Sequence, residues 1–368
     1  MERISLAHQT LYAELLQQTL DAAFDEEFAE NGTFVTKTSK GRKYWYYEGY
    51  ETTSGGTTPA RKYSKYVGLY EDPEITKRVE AFRQTKSSYR ERRSLVTTLR
   101  DVGLPTPHPF VGDVVEALWK AGIFRLRGVL VGTLAYQTYA GLLGVRLPAA
   151  PIMTGDIDFA QDHAVSMLVE DTMPPMLQTL QSVDKSFRER PHQKNQAATA
   201  YVNATHLDVE FLTPNRGRED YADEPAKMPA LGGASAQALR YLDFLIRHAV
   251  RAVLLHKGGI PVTVPAPERY AVHKLIVSVL RKSDPNGAAK AIKDAKQAGD
   301  LTEALVLNSR QADLGFAWME AWDRGSRWQK NLTIGRKRLT SAQVDLLRQS
   351  VKEGCEHETK PLSEYGFD

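Results

Sequence analysis

Apolar and polar residues recur along this chain in several rhythms. Over residues 4–28, Leu6, Leu11, Leu15, Leu16 and Leu20 return near helical spacing and predict an amphipathic helix. From residue 33 the rhythm changes. The stretches 33–36, 43–47 and 62–69 are rich in Thr, Val and Tyr and predict strands, with turns at Gly41 and over 52–59. Residues 73–102 predict a charged helix or a pair of helices, with Val79, Phe82, Leu95, Val96 and Leu99 as the apolar contacts. Pro105, Pro107 and Pro109 mark a linker, and 111–121 predicts a short helix.

The stretch from 128 to 211 organises the rest. The apolar run Gly128-Val129-Leu130-Val131 is short and β-branched and stops at Gly132-Thr133, the pattern of a buried strand ending in a tight turn. A helix over 134–144 follows, burying Leu134, Tyr139, Leu142 and Leu143. A helix that opens on a glycine turn presents unpaired N–H groups and the positive end of its dipole, which suits a phosphate. Residues 145–154, with Pro148 and Pro151, predict a loop. A strand at Gly155-Asp156-Ile157-Asp158-Phe159, a variable stretch over 161–175 and a helix over 176–182 come next. Strands at 199–202 and at His206-Leu207-Asp208-Val209-Glu210-Phe211 complete the region. Beyond it, 214–233 is polar and rich in Pro and Gly, a second linker. Leu239, Leu242, Leu245, Ile246, Val250, Val253 and Leu254 predict one helix over 236–256, ended by Gly258-Gly259. A strand over 260–264 and a helix opening at Pro267 follow, with Lys293, Asp294 and Asp300 on or near the next helix.

At 368 residues the chain has room for two or three domains. Its 42% hydrophobic and 25% charged residues are ordinary for a soluble globular protein. The single cysteine, Cys355, excludes intrachain disulfides and implies a reducing, cytoplasmic setting. The opening Met1-Glu2-Arg3-Ile4 lacks a signal-peptide pattern. The longest uncharged run, 128–145, contains Thr133, Gln137 and Thr138 and makes better sense as strand, turn and helix than as a membrane span. The net charge is only +3, yet residues 31–100 hold 15 Lys/Arg against 7 Asp/Glu. The same segment carries Tyr44, Trp45, Tyr46, Tyr47, Tyr50, Tyr63, Tyr66 and Tyr70 among Arg42, Lys43, Arg61, Lys62 and Lys65. Aromatic and cationic side chains together suit stacked bases and phosphates, so RNA is one expected partner. A sheet that buries one aromatic face and solvates a basic one is the other reading.

The acids carry the chemistry. Asp156 and Asp158 sit two apart, so a strand points both to one face. Adjacent carboxylates repel and need a cation to stay ionised. Mg²⁺ prefers carboxylate and phosphate oxygens. If the strand of Asp208 pairs beside the first, three acids converge, and two metals about 3.5–4 Å apart can clamp the oxygens of a phosphoryl transfer. Glu210 shares a face with Asp208 and is a reserve third acid. Arg188, Arg190, His192 and Lys194 form a cluster that either neutralises a triphosphate or is a solvated loop. His206 is expected to be a structural or surface histidine.

The combination of apolar strand, Gly132-Thr133, helix, Asp156-Ile157-Asp158 and a later strand with Asp208 resembles the nucleotidyltransferase superfamily that includes DNA polymerase β, over roughly residues 124–215. The distance from Gly132 to Asp156 is longer than the family's usual spacing, and 145–154 looks like an inserted loop beside the site. Further on, Pro267-Glu268-Arg269-Tyr270 followed by Lys274-Leu275, then Lys293-Asp294 with Asp300, resembles bacterial nucleotidyltransferases of abortive-infection and toxin–antitoxin systems. The resemblance implies an α/β (α+β) fold: a small mixed-sheet catalytic core (105–215), an N-terminal helix and basic aromatic ribbon (1–104) and a mainly helical C-terminal domain (216–368). It implies transfer of an NMP from an NTP, ATP among the candidates, to a hydroxyl with release of pyrophosphate. Asp156 and Asp158 would hold two Mg²⁺ ions, with Mn²⁺ as a substitute. Asp208 would hold the catalytic ion and help deprotonate the acceptor. Gly132 and Thr133 would bind the β- and γ-phosphates, and Lys274 would meet the phosphates from the helical domain. The acceptor stays open between an RNA 3′ end, a protein and a small molecule, and an antitoxin-like protein is a candidate partner. Two rivals stand beside this reading: an inactive nucleic-acid-binding relative, and a glycosyltransferase using the same D-x-D.

Overall fold

The computed structural model describes residues 1–27, 33–51, 61–81, 89–148, 155–191, 197–215, 224–281 and 285–367. The expected turn over 52–59, Phe82, most of the expected insertion at 145–154, and His192 and Lys194 lie outside the described residues.

The chain opens with β1 (Glu2–Arg3) and the long helix α1 (Leu6–Glu27). The helix buries Tyr12, Leu15 and Leu20, as its leucine spacing requires. Next comes an antiparallel ribbon of β2 (Thr33–Ser39), β3 (Arg42–Glu51) and β4 (Arg61–Leu69), ordered β2-β3-β4. Lys40 and Gly41 both have positive φ and form the tight turn between its first two strands. The ribbon spends much of its aromatic content on packing: Tyr46, Tyr47 and Tyr66 are buried. Tyr47, Val67 and Ile75 form a small apolar cluster of their own. Helices α2 (Pro73–Ala81), α3 (Tyr89–Asp101) and α4 (Pro109–Lys120) follow. The prolines between α3 and α4 form no regular element, but Leu104 and Pro107 are buried there.

The central sheet is built from β5 (Val129–Leu130), β7 (Asp156–Ala160), β8 (Arg188–Pro191), β9 (Ala198–Val202), β10 (Asp208–Pro214), β11 (Ala226–Lys227) and β12 (Ser235–Leu239). Between them lie α5 (Gly132–Leu142), β6 (Val145–Arg146, paired with β1), α6 (His163–Leu168) and α7 (Met176–Gln181). The main order is β11-β12-β10-β7-β5. β10 is its axis. One side pairs in parallel with β7; the other is shared, the first half taken by β9 and the last three residues by β12.

One expectation is corrected here. The leucine-rich stretch 236–256 is not one helix but β12, a short helix α8 (Leu242–Ile246) and β13 (Val250–Leu254). Tyr241 and His248 both adopt positive φ, which no continuing helix tolerates. β-Branched Val250 and Val253 instead pair with β14 (Ile260–Val264) in a hairpin. Within the expected linker over 214–233, Met228, Ala230 and Leu231 are buried among the described residues.

The C-terminal part is helical: α9 (Pro267–Leu280), α10 (Pro285–Leu307), α11 (Gln311–Trp322), α12 (Ser326–Arg336) and α13 (Ser341–Glu358). Pro267 takes the first turn of α9, as its fixed φ favours. One continuous apolar core runs from Ile4 through the sheet to Phe367. The architecture is α+β. Among the described residues no helix is long and apolar enough to cross a membrane.

The ribbon's anchor lies away from the acids. Arg125 donates to the Tyr66 carbonyl at 3.0 Å and pairs with Asp171, which also accepts from the Tyr66 N–H at 3.0 Å. Arg125 precedes β5, and its neighbour Leu126 accepts a hydrogen bond from Gln161, at the end of β7 opposite Asp156.

Helices α11 and α13 approach backbone to backbone. A β-carbon on Gly315 would run into the Ser350 carbonyl and come within 3.2 Å of the Gly354 nitrogen. Helix propensity alone predicts that Gly315→Ala stabilises the protein by about 1 kcal/mol. The packing predicts the opposite sign, a loss of about 1–3 kcal/mol, because backbone cannot rotate out of the way. A thermal melt decides the sign, and a raised melting temperature would contradict the close approach.

Candidate active site

Four carboxylates share one face of the sheet because of strand register. Asp208 lies opposite Asp156 and Glu210 opposite Asp158 across the parallel pair β7–β10. Residues two apart in a strand share a face, so all four project together. The alternate residues Ile157, Phe159, Val209 and Phe211 are fully buried on the other face. Neighbouring strands are about 4.8 Å apart, which keeps the acids within mutual repulsion.

The Gly132–Thr133 turn meets the same end of the sheet. The Val131 N–H donates to the Asp158 carbonyl at 2.9 Å, which fixes the end of β5 against β7. Gly132 has φ +65°, and a β-carbon there would collide with the Asp158 carboxylate. Glycine is therefore needed for both backbone and space. Helix α5 begins at that residue, so its unpaired amides open beside the acids. The Tyr270 hydroxyl of α9 donates to the Gly132 carbonyl at 2.9 Å and holds the turn from the helical side.

Electrostatics at this face are unbalanced. Burial, reinforced by the charges of Asp156 and Glu210, pushes the Asp158 carboxyl up to about 7. Asp208 has one oxygen on Arg190 Nη1 at 2.6 Å. Its other oxygen, Oδ1, is buried with no hydrogen-bond partner among the described residues. A raised carboxyl and an orphaned carboxylate oxygen on one acidic face fit a divalent cation, which prefers such oxygens.

Positive charge comes from two sides. Lys293 of α10 donates to the Thr133 hydroxyl at 2.8 Å. Burial and then the nearby Lys274 charge lower its pKa, while Asp156 pulls it the other way. Lys274, the lysine expected at the phosphates, donates to Asp294 Oδ1 at 2.5 Å. Asp294 also accepts from Arg281 at 2.8 Å. Burial raises the Asp294 carboxyl, but these two cations hold it below the usual range. Lys274 thus lies near the acids with its charge already engaged, and Lys293 is the lysine on the Gly-Thr turn. In the sequence Lys293 stood out only as the neighbour of Asp294. Arg190 reaches Asp208 and also Glu210, at 2.5 Å, whereas Arg188 is an exposed residue of the same edge strand. His206 precedes β10 with φ +61°, outside the acidic row.

A second group, Asp113, Glu116 and His256, brings its ligand-type atoms within 4.8 Å of one another. It is already filled by an internal cation. Lys257 lies 2.7 Å from Asp113 and 2.6 Å from Glu116, and those hydrogen bonds push its ammonium up to about 12. This group pins the β13–β14 hairpin to α4.

The raised Asp158 carboxyl makes metal-free stability pH-dependent. The folded form holds that proton more tightly than the unfolded chain, so its contribution is full below about pH 4 and is lost as pH rises through about 7. In a chelator, denaturant melts should lose up to about 1.4 kcal/mol per pH unit in that window. Asp158→Asn should remove that part of the slope, and excess Mg²⁺ should flatten it in the parent. An unchanged slope in the variant would contradict the assignment.

No curated protein matches the chain. Among solved structures, an antigenic nucleotidyltransferase-like protein from Paracoccidioides brasiliensis is similar over 58% of this chain and 94% of its own, at 18% identity and a TM-score of 0.29. A nucleotidyltransferase family model matches residues 110–323, from α4 to the end of α11 and including every acid of the sheet face. With more than half of its length inside that match, the chain belongs to this nucleotidyltransferase family.

Proposed function

We propose that this protein transfers a nucleoside monophosphate from an NTP to a hydroxyl acceptor and releases pyrophosphate. The observation that carries the proposal is the register that sets Asp156 beside Asp208 and Asp158 beside Glu210, next to the opening turn of α5. Asp156, Asp158 and Asp208 would hold two divalent ions, Mg²⁺ or Mn²⁺. Such ions, when bound, neutralise charge on the transferring phosphoryl group and make the acceptor hydroxyl more acidic.

The chain's own groups do the rest. The amides at Gly132 and Thr133 face the β- and γ-phosphates, with the dipole of α5 behind them. Lys293 lies on Thr133 and supplies a point charge to the same phosphates. Lys274 acts one step back, through the field it shares with Asp294 and Arg281. Asp208 would take the acceptor's proton, a role supported by its Oδ1, which has no protein donor among the described residues. Catalysis is then mostly positioning and charge neutralisation.

The acceptor is RNA, a protein or a small molecule. The ribbon supports the RNA reading through exposed Arg42, Lys43 and Lys62. The ribbon's anchor is Tyr66, held by Arg125 and Asp171 rather than by the acids, so an RNA on the ribbon would have to reach from there to the sheet face. A protein partner of antitoxin type and a cytoplasmic setting belong to the same proposal. Incubation with each labelled NTP plus total RNA or total protein identifies the acceptor by the fraction that becomes labelled.

Two expected outcomes follow from the division of labour. Asp156→Asn and Asp208→Asn should lower pyrophosphate release by roughly a hundredfold or more while leaving the protein folded, with a cooperative thermal melt; full activity in either would remove that acid from the site. Lys293→Ala should raise KM for the NTP about tenfold with little effect on stability. Lys274→Ala should instead cost about 1–3 kcal/mol of stability, because buried Asp294 loses one of its two cations. If Lys274→Ala changes KM alone and leaves the melt untouched, the roles of the two lysines are reversed.

A further inference from the structure

Arg190 sits on the edge strand β8, opposite Ala200 of β9. Ala200 lies opposite Glu210 of β10, and Glu210 opposite Asp158 of β7. The four residues form one row across four strands, with every side chain on the acidic face. To reach Glu210 and Asp208, the guanidinium must pass over a whole intervening strand. The residue it passes over is an alanine, buried to 2% exposure, which leaves the path open. The reach ends in a fork: Nη1 on Asp208 at 2.6 Å and Nη2 on Glu210 at 2.5 Å. The arginine itself stays 45% exposed, so its own burial does not demand this pose.

The fork therefore occupies one oxygen of an acid that the metal site needs. Asp208 has its other oxygen buried and unpartnered among the described residues. Glu210 gives Arg190 a second anchor that a metal at Asp208 would leave in place.

We infer that Arg190 is a built-in counter-cation that competes with the divalent metal for Asp208 and so sets the metal affinity of the nucleotide-free protein. With a metal at the other oxygen of Asp208, the carboxylate would hold the guanidinium less tightly, and Glu210 would retain the arginine at the rim. Arg190 acts through Asp208 and is a positioning residue. The inference rests on the metal-site reading proposed above.

The test is Mn²⁺ binding to the nucleotide-free full chain, followed by electron paramagnetic resonance of the unbound ion, with parallel thermal melts. Charge-assisted hydrogen bonds of this kind correspond to about ten- to a hundredfold in an equilibrium constant. Arg190→Ala should bind Mn²⁺ tighter than the parent by that factor. Its melt should be lower than the parent's in chelator and should rise more on adding Mn²⁺. Arg190→Lys, which cannot span both carboxylates, should fall between. Ala200→Leu, which blocks the path without removing a charge, should resemble Arg190→Ala. If Ala200→Leu does not fold, the exposed Arg190 variants decide alone. A structural role without competition would shift the melts equally with and without Mn²⁺ and leave the affinity unchanged, and that result overturns the inference. Weaker Mn²⁺ binding in Arg190→Ala overturns it too. Asp156→Ala separates the two levels: if it binds Mn²⁺ as the parent does, the metal site itself is misplaced; if it loses binding while Arg190→Ala equals the parent, only the inference on Arg190 fails.

Discussion

The parallel pairing of β7 with β10 is the constraint on which this molecule depends. It puts two acids of one strand directly beside two of another, on a face whose reverse side is packed with Ile157, Phe159, Val209 and Phe211. A slip of one residue would turn either set of acids into the core. Those four apolar side chains therefore fix the chemistry as firmly as the carboxylates do. The arrangement opposes its own electrostatics: burial first, and then the charges of Asp156 and Glu210, push the Asp158 carboxyl up.

The surrounding elements are arranged to answer it. Helix α5 points its amino end at the acids, and a glycine with positive φ allows that approach. The helical C-terminal part grips α5 through Tyr270 on Gly132, Lys293 on Thr133, Tyr136 on Asp300 and Tyr139 on Pro265. The phosphate-facing turn is thus held by two parts of the chain at once. From the opposite rim, Arg190 brings a guanidinium across β9. The contrast with Asp113, Glu116 and His256 is instructive. There Lys257, with His256 and Lys120, pairs the acids, whereas on the sheet face Asp208 keeps a buried oxygen with no protein donor among the described residues.

The local parts of this design were legible in the sequence. The strand, the glycine turn, the helix and the alternation of Asp156 and Asp158 with apolar neighbours are all set by residues a few positions apart. Asp208 was legible for the same reason. Its alignment with Asp156, and the entry of Glu210 opposite Asp158, depend on register between strands separated by some fifty residues, which no local pattern encodes. Lys293 was seen only as a neighbour of Asp294, because its meeting with Thr133 is a contact between distant helices. Lys274 matched a motif, but a motif does not show that a buried aspartate already holds the ammonium. The misread stretch 236–256 has a different cause. Leucines at helical spacing also suit two strands and a short helix, and the positive φ of Tyr241 is not written in a residue that usually adopts it.

The most direct test of the central claim is a crystal structure of the protein with Mn²⁺ and a non-hydrolysable NTP, with data collected at the manganese absorption edge. The account predicts anomalous density between β7 and β10, touching Asp156, Asp158 and Asp208, with the triphosphate at Gly132 and Thr133. Manganese bound instead at Asp113, Glu116 and His256, with the sheet face empty, would contradict it.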